Sequence, residues 1–205
     1  MTRRGPARRR RPYDSPLRRQ LTAATRERIV TAGAELLHGF PVWNWAALTI
    51  PRAAERAGVT ARTVYRHFAG ERELRDAVLE RLQQEAEVDL EGLELDDFRE
   101  LAARVLRYVS SFPLEPRTPR DATLAAAHAR QREALLTAVA PTARGWRAGD
   151  RAIAAGMLDV LWSVASYERL VVDWELEPEQ AIRGVTWAIG LVADAIRRGR
   201  RPSAG

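Results

Sequence analysis

Apolar residues recur at three- and four-residue intervals along almost the whole chain, and the strict alternation that builds half-buried strands is nearly absent. A chain patterned this way has to fold as packed helices, so the expected class is all-α. A first helix is predicted from Thr25 to His38, with Ile29, Ala32, Leu36 and Leu37 inward and Gly39 as its stop. A loop with Pro41, Trp43, Asn44 and Trp45 follows. Two short helices come next, the first capped by Thr49 and ending at Ala57-Gly58, the second running to about His67. A fourth helix is expected over Glu71 to Asp89, and a fifth along Leu95, Phe98, Leu101, Val105, Val109 and Phe112. Beyond the prolines 113, 116 and 119, helices are predicted over 121–139, 150–174 and 178–198.

The last two of these are apolar around more than one face and therefore need partners on two sides. Leu161 and Val164, then Ile182, Val185, Ile189, Val192 and Ile196, are accordingly expected at a subunit interface.

Composition removes several function classes. There is no cysteine among the 205 residues, so disulfides, thiol nucleophiles and cysteine-ligated zinc are excluded. His38, His67 and His128 are scattered, and neither a glycine-rich phosphate loop nor a paired-acid motif is present. No metal, no cofactor and no enzymatic activity are expected. An Arg-rich start with no apolar stretch behind it, and no membrane-spanning run, point to a soluble cytoplasmic protein.

The net charge of +6 is unevenly spread, and every cation other than histidine is arginine. Residues 1–20 hold eight arginines against one acid, whereas residues 81–205 hold 17 against 19 acids. The first 20 residues, rich in proline and poor in apolar side chains, read as a flexible basic arm. Arg9, Arg10 and Arg11 are its candidates for tracking DNA phosphates or a minor groove; a solubilising tail is the other reading.

The stretch Thr49 to Phe68 carries the chemistry. Two short helices joined by Ala57-Gly58-Val59 have helix-turn-helix form, with glycine accepting the left-handed turn. Ile50, Ala53, Ala54, Val59 and Val64 are spaced to pack the pair together. Thr60, Ala61, Arg62, Thr63, Tyr65, Arg66 and His67 then lie on the outer side. Arginine can read guanine bidentately, while hydroxyls and helix-start amides grip phosphates.

From Thr25 to Leu79 the sequence resembles the TetR family of transcriptional regulators. The Thr-Arg-Glu-Arg-Ile opening, Ala57-Gly58-Val59-Thr60 and Thr63-Val64-Tyr65-Arg66-His67-Phe68 carry the resemblance. It implies a homodimer with two DNA-binding heads, and a helical body with a ligand cavity and a dimerising helix pair. It also implies phosphate contacts at Thr49, Thr63, Tyr65 and His67, and a base-reading face of Arg62 and Arg66 with Thr60 and Ala61. Phe68 is expected in the core, and Tyr65 is open to either role. Arg62 stands where glycine is common. Glu71 stands where lysine is common, which leaves Arg72 to take over a phosphate. The loop carrying Trp43 and Trp45 is longer than usual.

The expected organisation is an arm over 1–20, a helix-turn-helix domain over 21–85 and an effector-binding and dimerisation domain over 86–205. Pocket candidates are Tyr108, Phe112, His128, Trp162 and Ser166, with Leu124, Trp146 and Tyr167 beside them. The function implied is a ligand-responsive repressor on a pseudo-palindromic operator; the alternative is an arm-driven DNA binder of weak specificity.

Overall fold

The computed structural model describes residues 16–41, 44–114 and 122–202. Trp43 and the arm residues Arg9, Arg10 and Arg11 lie outside them. Every regular element among the described residues is helical, as the periodicity predicts. The chain divides into two compact units, Met1–Arg117 and Thr118–Gly205, rather than at residues 85 and 86.

The first unit is built on α1 (Pro16–His38), which packs against α2 (Ile50–Arg56) and α4 (Glu71–Glu85). A 3-10 turn, Trp45–Ala47, precedes α2, and α3 (Ala61–Tyr65) follows it. Their shared core holds Ile29, Leu48, Ile50, Val64, Phe68, Leu74 and Val78, all at most 1% exposed. Trp45 packs against this core.

Helix α1 begins nine residues earlier than its apolar stripe indicates. Pro16 to Ala24 bury nothing, so periodicity is blind to them. Their Arg, Leu, Gln and Ala content favours helix regardless, and the Thr22 and Thr25 hydroxyls donate to the carbonyls of Arg18 and Leu21, each at 2.8 Å.

Close approach of α1 to α4 requires Gly33. A Cβ there would stand 2.6 Å from Val78 Cγ2. Gly33→Ala should destabilise the head by about 1–3 kcal/mol through overpacking, although alanine is the better helix former by about 1 kcal/mol. Combining it with Val78→Ala should cost less than the two singles added, which urea unfolding of all three variants would measure. Strict additivity would remove Val78 as the cause.

Helix α5 (Phe98–Val109) is shorter than its apolar pattern; Leu95 lies before it at 88% exposure. Its C-terminal end joins the head's core. His38 stacks on Phe112 with centroids 4.3 Å apart, and Tyr108 meets both rings edge-on. Tyr108 donates a 2.6 Å hydrogen bond to Glu85 at the end of α4. Burial, then that hydrogen bond and the carboxylate charge, push the phenol above its ordinary value. Burial also pushes Glu85 up, but hydrogen bonds from Tyr108 and Arg81 outweigh it and hold the carboxyl below its usual range. Arg81 in turn bonds Glu27 of α1. These contacts between α1, α4 and α5 explain why the first unit extends past residue 85.

In the second unit α6 (Ala122–Val139) packs on α7 (Ala148–Leu161), and α7 on α9 (Pro178–Arg197). The long helix expected over 150–174 is interrupted. It breaks at Trp162-Ser163, where Ser163 caps the short α8 (Val164–Glu168) by accepting from the Ser166 N–H, and a π-helical turn, Arg169–Asp173, follows. A core of Val139, Ala143, Ala154, Ala155 and Ile196 centres this unit.

Ile196, expected at a subunit interface, thus belongs to the unit's own core, and Val192 packs against that core. Val185 and Ile189 are half-buried along the same face of α9. A stripe at helical spacing is the one an intrachain neighbour takes first. Other apolar side chains of this unit stay exposed, among them Val164, Ile182, Trp187 and Leu191; Trp187 and Leu191 stand four residues apart on α9. Among the described residues no helix is long and apolar enough to cross a membrane.

Candidate nucleic-acid interface

The turn between α2 and α3 follows from three residues. Ala57 closes α2, Gly58 takes a φ of +64° that side-chain-bearing residues resist, and the Val59 N–H returns to the Ala54 carbonyl at 2.9 Å. The Gly58 N–H bonds Glu55 in the same way at 3.1 Å, completing a Schellman stop. Val59 then packs on the core, which sets the angle at which α3 leaves.

Thr60 starts α3 by accepting from the Thr63 N–H at 3.2 Å, and the two hydroxyls lie 3.0 Å apart. Val64 and Phe68 anchor the underside of the segment, at 0% and 1% exposed. The outer side carries Thr60, Arg62, Tyr65 and Arg66, all exposed, with Tyr65 at 59%. Phe68 is therefore core and Tyr65 is not. Ala61 is half-buried against the core, a floor beneath the face rather than a projecting part of it. Thr49, at the N-cap of α2, is half-buried and makes no capping bond through its side chain.

Several arginines of this unit are engaged. Arg56 is paired with Glu35 at 2.8 Å, Arg75 with Glu71 at 3.2 Å, and Arg81 with Glu85 at 2.9 Å. Arg52 lies over the Phe40 ring, 5.2 Å from its centroid. Arg62, Arg66 and Arg72 are exposed and have no acidic partner among the described residues. Among the described residues, these three are the arginines that the sequence places on DNA.

Two acids on α4 explain why Arg72 is left over. Glu71 accepts from the Ile50 N–H at 3.4 Å and from Arg75, while Glu73 reaches back to the Ala69 N–H at 2.6 Å. Both are consumed in holding α4 to the start of α2 and to its own N-terminus.

Helix α1 contributes a cation beside the face. The Arg26 guanidinium sits 4.8 Å over the Phe68 ring. Burial first, then the charges of Arg66 and Arg26, lower the pKa of His67. Arg18, Arg19, Thr22 and Arg26 line a shallow basic depression on the same helix. Periodicity could not have found it, since none of these residues is buried.

Residues 44–78 match the family model for bacterial regulatory proteins, tetR family. Over this segment the chain is similar to the TetR family. No curated protein and no solved structure gives a significant match. The TetR family is one of DNA-binding transcriptional regulators, not of enzymes, and typically dimerises. The matched TetR segment spans the 3-10 turn, α2, α3 and the first half of α4, and so contains Thr49, Thr60 to His67 and Arg72.

Of the pocket candidates, Tyr108 and Phe112 belong to the first unit and line a cavity there, while His128, Trp162 and Ser166 belong to the second. His128 and Trp162 are exposed, and the Ser166 hydroxyl bonds back to Val160.

Proposed function

We propose that this protein is a sequence-specific, ligand-responsive repressor that acts in the cytoplasm as a homodimer on a pseudo-palindromic operator. The observation that carries the DNA half is the placement of Arg62, Arg66 and Arg72 on the exposed side of α3 and the start of α4 with no carboxylate partner among the described residues, while Arg56, Arg75 and Arg81 nearby are paired and Arg52 lies over Phe40. An exposed arginine held away from carboxylates keeps its donors for base edges and phosphates. Arg62 and Arg66 then read bases across Thr60 and Ala61, while Thr49, Thr63, Tyr65, His67 and Arg72 hold the backbone. Arg9, Arg10 and Arg11 add phosphate contacts ahead of the basic depression on α1. Dimerisation is supported by the outward apolar side chains of the second unit, Val164 at 71%, Trp187 at 69% and Leu191 at 53% exposed, with Leu161 and Ile182 beside them.

Selection of bound sequences from a random DNA pool tests this reading. The expected product is an inverted repeat whose half-sites are spaced by whole turns of the duplex. A pool left unenriched, with binding lost on deleting residues 1–20, would instead establish the arm-driven binder.

His67 adds a pH dependence. Free, its proton is held only below the ordinary 6.5, for the reasons above. A phosphate beside it favours the imidazolium, so binding takes up a proton. Operator affinity should therefore rise as pH falls toward and through 6.5. His67→Gln should flatten that rise in isotherms at constant salt; equal slopes for both proteins would remove His67 from the interface.

A further inference from the structure

The first unit holds a half-open cavity of about 590 Å³, within the range of sites that take drug-sized molecules. Its walls come from α4 and α5, closed on one side by Leu37 of α1 and by Pro41, Asn44 and Trp45 ahead of α2. Apart from Asn44, Gln83 and Tyr108, every lining side chain is apolar, and none carries a formal charge. Leu79, Leu90, Phe98 and Leu106 line it and yet remain 41%, 64%, 56% and 66% exposed. Apolar walls left unfilled forgo the dispersion contacts of a packed interior.

We infer that this cavity binds an uncharged, largely apolar small molecule with a neutral polar group at the Tyr108 end. A charged ligand would lose its hydration and find no counter-ion. Tyr108 gives its only proton to Glu85, and the neutral His38 ring, which donates through Nδ1 to the Ala34 carbonyl, offers no proton from the Nε2 that lies 3.4 Å away; the Tyr108 oxygen is left to accept from the ligand's polar group. The amides of Asn44 and Gln83 supply donors and acceptors elsewhere on the wall.

The site lies against the head itself. Trp45 lines the cavity and packs on the core that holds Ile50 and Val64. A molecule seated there bears on the turn that starts α2, so occupancy and head geometry are coupled through one side chain. This regulatory consequence rests on the proposed DNA-binding function; the binding itself does not.

The full-length chain should bind the neutral dye N-phenyl-1-naphthylamine saturably, one per chain, and release it to decanol but not to laurate or decyltrimethylammonium. Ala102→Trp on α5 and Leu79→Trp on α4, each filling the cavity from a different wall, should weaken the dye about tenfold or more while retaining the parental melting transition and DNA affinity. Bound dye or decanol should lower DNA affinity in the parent and not in these variants. Unsaturable uptake, displacement by the ionic chains, or dye binding untouched by a folded filling variant would overturn the inference. So would dye uptake that merely tracks dissociation of a dimer in sedimentation, which would make a second copy the occupant. Loss of DNA binding with dye binding intact would defeat the proposed function and leave the cavity standing.

Discussion

Phe68→Ala should abolish DNA binding by unfolding the head, not by removing a contact to DNA. The ring is 1% exposed and sits among Ile29, Ile50, Val64 and Leu74. Truncating a buried phenylalanine costs about 3–5 kcal/mol, a large share of the 5–15 kcal/mol that holds a typical domain together. Two features raise the cost here. The Phe68 N–H bonds the Val64 carbonyl at 3.0 Å, so the ring secures the exit of α3, and Arg26 packs its guanidinium over the outer face. The comparison that isolates this effect is Tyr65→Ala, three residues earlier. Its ring is 59% exposed, so its loss should change stability by no more than about 0.5 kcal/mol. Urea unfolding should therefore separate the two variants by several kcal/mol, although both lose DNA affinity. A Phe68→Ala protein that unfolds at the parental urea concentration would show that the core does not depend on this ring.

The helix-turn-helix was legible because its determinants are local. Gly58 and Val59 make the turn within four residues of the helices they join, and the Ile50, Ala53, Ala54 and Val64 pattern closes over a short span. The start of α1 was not legible, because Pro16 to Ala24 bury nothing: Leu17 and Leu21 stand four apart yet remain exposed, and the segment is helical by propensity. The break at Trp162-Ser163 was hidden for the opposite reason. Apolar residues run through it without a change of period, and the only local mark is a serine cap. On α9 the periodic residues turned out to serve the second unit's own core. Periodicity reports that a face is buried, not which neighbour buries it.

The cavity shows the same limit. Tyr108 and Phe112 could be picked out as aromatic residues on a helix, but the opposing wall comes from Pro41 and Trp45, more than 60 positions away in the chain. Long-range closure of that kind has no signature in a single sequence.

Arg62→Ala and Arg66→Ala should each weaken operator binding by about 1–3 kcal/mol, roughly 5- to 150-fold, and relax preference at one base position per half-site. Both side chains are exposed and unpaired, so neither change should affect the melting transition. Arg72→Ala should behave differently. Placed at the start of α4 as a phosphate contact, it should lower affinity for all sequences alike and reduce the dependence of log affinity on log salt by about one per chain. Arg56→Ala supplies the control, since that guanidinium is already held by Glu35 at 2.8 Å on a solvated surface. Such pairs contribute at most about 1 kcal/mol to stability, and breaking one should leave DNA affinity unchanged. The division of arginines into paired and unpaired sets thus becomes a division of phenotypes. Affinity that fell equally for all four variants, with sequence preference intact, would mean that summed charge holds the DNA and that α3 reads no bases.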